Sequence, residues 1–405
     1  MIRLASSLFI LLSLSAACST GPDRPAPDAG VPTDTGAGTD TGSDPGDAGD
    51  AGDAGDTGDL GDTGTTTDAG FPRGPWGALS LNLHCLDTDG TAFATNEARF
   101  AAIADRAVSG GARVLLLQEA CDDGTVSALD ALEGALEAAS GREWHGSFAF
   151  AHVAWEGTPQ EADEGVAILA DVTLNDTRVL EHGALGSLRR VMLSAALGGD
   201  LTGLRVGAFH LDHADEAVRR LQARELAVAG LVHGDSANVL LGGDLNDREG
   251  SAAYAALGEA GYLDTSSALR STRIDHLFLH RGAGMVATSA ELVFDGTGER
   301  VSDHPGVLIQ FGAATGAPVE LTTFDLEVDA GAGNGLFVRG DQAPLSWTEG
   351  WPAINAGPSL WRFLSTELSG AFEYKVLRND ADWSVGENYR GTAGVANRAT
   401  TTAFE

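Results

Sequence analysis

Residues 238–247 read NVLLGGDLND: an apolar run passes through two glycines into Asp244, Leu245 and Asn246. Asp and Asn are poor strand residues. Two apart on an extended chain, they point to one face. The strand reading therefore predicts a carboxylate and an amide aimed at one site, with Leu245 packed behind them. The pattern recurs. Asn82, Glu119, His210 with Asp212, Asp275, and Asp303 with His304 all fall where candidate strands end. A lone acid at a strand end is ordinarily a turn cap. Six such positions, every one of metal-ligand or acid/base type, point instead to one catalytic edge.

The elements that must position these residues occupy about 76–311. Strands are expected at 78–85, 112–120, 164–170, 189–197, 204–212, 237–246, 273–280 and 304–311, where short apolar runs alternate with Ala/Arg-rich segments. Helices are expected at 97–109, 125–139, 215–233 and 251–260, the first following Thr95-Asn96, suitable N-cap residues. Strands interleaved with helices over this length predict a layered α/β sandwich. A break at 313–319 then leads to 320–405, which reads as strands without a long amphipathic helix. Four of the seven tryptophans fall in this last part, which predicts an all-β sandwich domain.

The chain of 405 residues carries a formal net charge of −33. Residues 19–71 hold 12 Asp and one Arg, so the acidity extends into the body. Such a body is a poor non-specific binder of nucleic acid or anionic membrane. It does not exclude a phosphate substrate held through a metal ion. The N-terminus, MIRLASSLFILLSLSAACST, has one positive charge, an apolar run too short to span a bilayer and a small-residue end, as in an export signal. LSAAC resembles a bacterial lipoprotein signal. That implies lipidation of Cys18, a chain exported to an outer-membrane or cell-surface position or else secreted, and membrane contact through the lipid alone. Residues 19–72 are dominated by Gly, Asp and Thr, with glycine every third residue from 46 to 64. Without apolar side chains this segment is expected to be a disordered tether reaching roughly 40 Å.

SLNLHC, LLLQEA, EGVAIL, AFHLDH, GGDLND, IDHLFL and SDHPGV follow one another between residues 80 and 307. Their order and spacing resemble the endonuclease/exonuclease/phosphatase superfamily, which includes pancreatic-type deoxyribonucleases, AP endonucleases, inositol-polyphosphate phosphatases, deadenylases and bacterial sphingomyelinases. The resemblance implies a four-layer α/β sandwich over 73–312. It also implies hydrolysis of a phosphodiester by in-line attack of a metal-activated water. Mg2+, with Mn2+ or Ca2+ as alternatives, matches an oxygen-rich ligand set. Asn82, Glu119 and Asp303 match the metal-binding positions. Asp244 matches the residue that orients or deprotonates water, and Asn246 the phosphate-contacting amide. His210 matches a donor to the phosphate or leaving group. His304, oriented by Asp275, matches a phosphate contact or proton-transfer group. Glu164 matches a carboxylate that pairs with the first histidine. Arg190 and Asp212 are open between supporting and surface roles. If Asn82 and Glu119 share a metal, Cys85 and Cys121 lie on adjoining loops, and a disulfide between them is expected.

Residues 320–405 resemble a starch-binding-type carbohydrate-binding module through FDLEVDAGAGNGLFVRGD, LSWTEGWPAI, LWRFLSTEL and FEYKVLRNDADWSVGENYRG. The resemblance implies a polysaccharide platform of Trp347 and Trp383 with Lys375 as polar partner; the alternative is that these tryptophans are core. The combined expectation is an exported, monomeric, Mg2+-dependent phosphodiesterase. Nucleic acid is favoured slightly over phospholipid head groups or small phosphoesters, although no basic stripe for gripping duplex DNA is visible. The rival from another class is a non-catalytic, glycan-binding surface lipoprotein.

Overall fold

The computed structural model describes residues 75–314, 319–401 and 403–405. The signal, Cys18 and the segment 19–72 lie outside the described residues. Among the described residues no helix is long and apolar enough to cross a membrane.

The first part of the fold contains β1 (Trp76–Asn82), α1 (Asn96–Ser109), β2 (Ala112–Asp122), α2 (Ala128–Ser140), β3 (His145–Ala154) and β4 (Ala162–Ala170). There follow β5 (Leu174–Glu181), β6 (Val191–Leu197), β7 (Arg205–His210), α3 (Glu216–Gly234), β8 (Val239–Asp244) and α4 (Ala252–Glu259). The last strands of this part are β9 (Tyr262–Asp264), β10 (Asp275–His280), β11 (Met285–Val293) and β12 (Gly306–Ala313). Each helix starts on a side-chain cap, from Thr95, Ser127, Asp215 and Ser251 respectively. These oxygens satisfy N–H groups the first turn cannot pair internally.

Two six-stranded sheets result, ordered β11-β12-β1-β2-β4-β3 and β5-β6-β7-β8-β10-β9. Strand alternation decides the layers. Ala78, Val114 and Ile168 from one sheet meet Val206, Ala208 and Leu240 from the other in a middle core. Leu79, Leu115 and Leu169 face the opposite way, onto α1 and α2. Phe209, Leu241 and Phe278 face α3 and α4. The result is the expected four-layer α/β sandwich. The eight expected strands are present, and four more appear: β3, β5, β9 and β11. All four are sheet edges. β5, for example, is largely exposed, which dilutes the apolar pattern that marks the inner strands.

The remaining strands are β13 (Thr322–Glu327), β14 (Leu336–Gly340), β15 (Trp351–Pro352), β16 (Ile354–Gly357) and β17 (Leu360–Ser365). β18 (Ala371–Arg378), β19 (Asp382–Trp383), β20 (Tyr389–Thr392) and β21 (Ala396–Thr400) complete the chain. They form one sheet of β16-β17-β13-β21 and another of β15-β14-β18-β19, with β20 on β18. This β-sandwich shares its core with the layer beneath α3. Trp351, Phe363 and Leu364 close a small space against Ala227, Val228 and Leu231. The Arg224 guanidinium lies 4.7 Å from the Trp351 ring centroid and donates to the Gly350 carbonyl at 3.1 Å. Arg220 and Arg224 both pair with Glu349. Thr366 meets His280 at 3.2 Å.

A shared core makes the two parts unfold together. Trp351→Ala should cost about 3–5 kcal/mol and lower the midpoint of a single calorimetric transition. Two separate transitions in the parent protein, with only the later-sequence part affected by the substitution, would contradict the shared core.

Candidate active site

Strand register brings the polar residues together. β7 runs parallel to β8 and pairs His210 with Asp244; β10 runs antiparallel to β8 and pairs Asp275 with Asp244. One carboxylate thus sits between an imidazole and a second carboxylate at adjacent strand ends. The facing sheet supplies Asn82 from the end of β1 and Glu119 from β2. The β2–β4 pairing shifts register between Leu117 and Ala120, and Glu119 takes a left-handed φ of 46°. Such a bulge re-aims a side chain, here toward Asn82. Asn82 Nδ2 donates to Glu119 Oε1 at 2.9 Å and to Asp244 Oδ2 at 3.3 Å. It joins the two sheets at the site.

Asp244 is 1% exposed. Burial first, then the charge of Asp275, pushes its carboxyl up to about 7 against the pull of His304. His304 Nδ1 lies 2.8 Å from Asp275 Oδ2 and 3.9 Å from Asp244 Oδ2. Burial opposes the imidazolium, but the Asp275 hydrogen bond and the charges of Asp275, Asp244 and Asp303 outweigh it and raise His304 to about 10. His210 Nε2 stands 3.7 Å from Asp244 Oδ2. Burial, then the charges of Arg190 and His152, holds His210 well below the ordinary imidazole value.

Three sequence expectations need correction. β8 ends at Asp244, and Asn246 turns at φ 52°, so the two do not share the face of an extended strand. The Asn246 N–H instead donates to Asp244 Oδ1 at 2.7 Å, and its side-chain amide donates to the Leu211 carbonyl at 3.0 Å. Leu245 is buried. Glu164 does not pair with His210. Arg190 stands between them, 3.6 Å from Glu164 Oε1 and 3.1 Å from His210 Nδ1. Glu164 also faces His152 Nε2 at 3.6 Å. Burial and then Glu119 push its carboxyl up to about 7, against Arg190. Asp303 lies at the rim, its side chain 58% exposed and 3.8 Å from His84 Nδ1, outside the Asp244–Asp275–His304 cluster.

Cys85 and Cys121 are joined by a disulfide with Cα atoms 4.8 Å apart. Between Asn82 and Cys85 the chain turns through left-handed His84 and Cys85. The backbone N–H of Cys85 donates to the Glu119 carbonyl at 3.1 Å. The disulfide therefore fastens the two strand ends that carry Asn82 and Glu119. Arg99, fully buried, donates to the carbonyls of Leu83, Cys85 and Asp87. It occupies the apolar stripe of α1 with Phe100, Ile103, Ala104 and Ala107. A charge on that apolar stripe is the signal by which the sequence could have revealed its supporting role. Asp212, fully buried, accepts from Ser187, Ala214 and Asp215 N–H groups; it ties the 182–190 loop to the start of α3. His152 carried no sequence signal, because edge strand β3 has no motif around it.

The donor set fits a divalent cation. Ligand atoms of Asp244, Asp275 and His304 lie within 4.8 Å of one another. Asp275 Oδ1 is buried without a hydrogen-bond partner. Glu119 and the Asn82 amide join the same cluster. Oxygen-rich sets of this kind suit hard ions, and a cation would offset the repulsion between buried carboxylates.

In the β-sandwich, the half-buried Trp347 and Trp383 rings lie 6.4 Å apart, inclined by 31°. Arg339 stacks 5.3 Å from the Trp383 centroid and donates to the Trp347 carbonyl at 3.1 Å. Lys375 is buried, and its ammonium donates to the carbonyls of Gly386 and Glu387 at 2.5 and 3.1 Å. Its charge is spent on bracing that loop.

No curated protein matches the chain. Solved structures include an endonuclease/exonuclease/phosphatase from Beutenbergia cavernae, 17% identical, covering 80% of this chain and 98% of that one, with TM-score 0.48. A family protein from Leptotrichia buccalis is 15% identical, covering 58% of this chain and 98% of that one, with TM-score 0.45. Sphingomyelinase C from Streptomyces griseocarneus is 19% identical, covering 60% of this chain and 100% of that one, with TM-score 0.42. The Endonuclease/Exonuclease/phosphatase family profile matches residues 79–304, more than half of the 405 residues and the span that contains every residue of the cluster: the chain belongs to the endonuclease/exonuclease/phosphatase family.

Proposed function

We propose that the protein is a Mg2+-dependent phosphodiesterase. The observation that carries this reading is the Asp244–Asp275–His304 cluster, completed across the two sheets by Asn82 and Glu119. Glu119, Asp275 and the Asn82 amide would hold the cation, which when bound neutralises phosphoryl charge and lowers the pKa of a bound water. The chain's own groups do the rest. Asp244, raised to about 7, is a base poised near neutral pH and accepts the proton of the attacking water. His304, oriented through Nδ1 by Asp275, gives its Nε2 proton to the departing oxygen. The ester bond breaks as the new P–O bond forms, and both protons are accounted for. Asn246 fixes Asp244 through its backbone N–H.

Among phosphodiesters, nucleic acid is the first reading. A second rests on two exposed apolar residues. Trp155, 42% exposed, follows Ala154, which packs on the Cys85–Cys121 disulfide; Leu185, 73% exposed, sits in the loop fastened to Asp212. Apolar side chains on the loops around the acidic cluster favour a phospholipid head group presented at a lipid surface. Export and a lipid on Cys18 rest on the N-terminal sequence, and glycan binding on Trp347 and Trp383, with Lys375 as a brace rather than a contact.

Hydrolysis of bis-(p-nitrophenyl) phosphate with Mg2+ should fall about 10²–10⁴-fold in Asp244→Asn and in His304→Gln; equal rates in all three proteins would defeat the enzyme reading. A panel of plasmid DNA, RNA and sphingomyelin vesicles then separates the substrates. The pH dependence follows from His304. Its folded-state pKa is raised to about 10, so the stability it contributes is complete below the ordinary value of about 6.5 and is lost as pH rises through 10. In chelator-treated protein, imidazole NMR should show His304 still protonated at pH 8, and neutral there in Asp275→Asn. A neutral His304 at pH 8 in the parent protein would contradict the charge-paired dyad.

A further inference from the structure

His210 and His304 flank the same carboxylate, yet their second nitrogens meet opposite kinds of partner. His304 Nδ1 faces the Asp275 carboxylate at 2.8 Å. A carboxylate only accepts, so that nitrogen carries hydrogen. His210 Nδ1 faces Arg190 Nη1 at 3.1 Å. A guanidinium only donates and is always charged, so that nitrogen must present its lone pair. The ring is then neutral, and its one hydrogen lies on Nε2, the atom turned toward Asp244 at 3.7 Å.

Arg190 is placed to enforce this. It is 4% exposed, and the Nη1 that faces His210 also lies 3.6 Å from Glu164 Oε1, so a carboxyl group helps hold that nitrogen in place. His152 completes the corner, with Nε2 3.6 Å from Glu164 Oε2. Its own Nδ1 and the Arg190 Nε are buried without hydrogen-bond partners. His213 is near enough to add its field to both His152 and His210. No carboxylate contacts His210 Nδ1 among the described residues, so nothing there competes for a hydrogen on that atom.

We propose that Arg190 is a positioning residue that fixes His210 as the neutral Nε2–H tautomer, so that His210 donates a hydrogen bond to a phosphoryl oxygen while His304 alone protonates the departing oxygen. The part assigned to catalysis rests on the phosphodiesterase reading; the tautomer itself does not.

The test is long-range 1H–15N imidazole NMR of the full chain, with the His210 signals assigned by their loss in His210→Gln. The expected result is a His210 ring protonated at Nε2 only, with and without Mg2+. In Arg190→Met the ring should lose this single tautomer, and kcat on bis-(p-nitrophenyl) phosphate should fall about 10–100-fold at little-changed KM. Arg190→Lys, which still offers a donor, should restore the tautomer and part of the rate. Protonation of Nδ1 in the parent protein overturns the assignment, whether or not Arg190→Met folds. An Arg190→Met protein with parental tautomer and kcat overturns it as well. A parent protein with the Nε2–H tautomer but no hydrolysis would instead remove the phosphodiesterase reading and leave the tautomer assignment standing.

Discussion

Asp244 is the buried charge around which the site is arranged. Register gives it a second carboxylate, Asp275, as its β10 partner and a histidine, His210, as its β7 partner. Like charges so close and so poorly solvated are costly. Nearly every neighbour acts on that cost. His304 supplies a cation through Asp275, the Asn246 N–H caps one oxygen, and Asn82 donates to the other while also holding Glu119. The unpartnered Asp275 Oδ1 shows that the offset from protein groups is incomplete, which is the condition a cation site requires.

The architecture serves that arrangement by bringing two sheet edges together and keeping them there. Asn82 and Glu119 come from one sheet, His210, Asp244 and Asp275 from the other. The Cys85–Cys121 disulfide and buried Arg99 fasten the first pair of strand ends. Behind the second sheet, α3 is clamped between that sheet and the β-sandwich, with Arg224 resting on Trp351. The later-sequence sandwich therefore buttresses the strands that carry the chemistry, whatever its own surface binds.

Much of this was legible in the sequence because inner strands carry continuous apolar runs and the acids interrupt them. NVLLGGDLND gave both β8 and Asp244. The edge strands β3, β5, β9 and β11 were not legible, since a strand with one wet face and one neighbour has too little apolar periodicity to stand out. Local geometry was the other gap. Alternation predicted Asn246 beside Asp244 on one face, but the chain leaves the sheet at Asp244 and the amide is used on the Leu211 carbonyl. Arg190, left open by its sequence context, acquires its role only through a contact with His210 across 20 residues of chain. Long-range contacts of that kind have no local signature.

On this reading the site stores like-charge repulsion that a divalent cation would relieve. Thermal unfolding with and without Mg2+ tests it in the parent protein and in Asp244→Asn. Without cation, Asp244→Asn should be at least as stable as the parent, because one buried charge has been removed. At about 100 times the dissociation constant, Mg2+ should stabilise the parent by about 2.7 kcal/mol and the variant far less, so that the order of stability reverses. A variant that is less stable without cation and gains as much from Mg2+ as the parent would contradict the account.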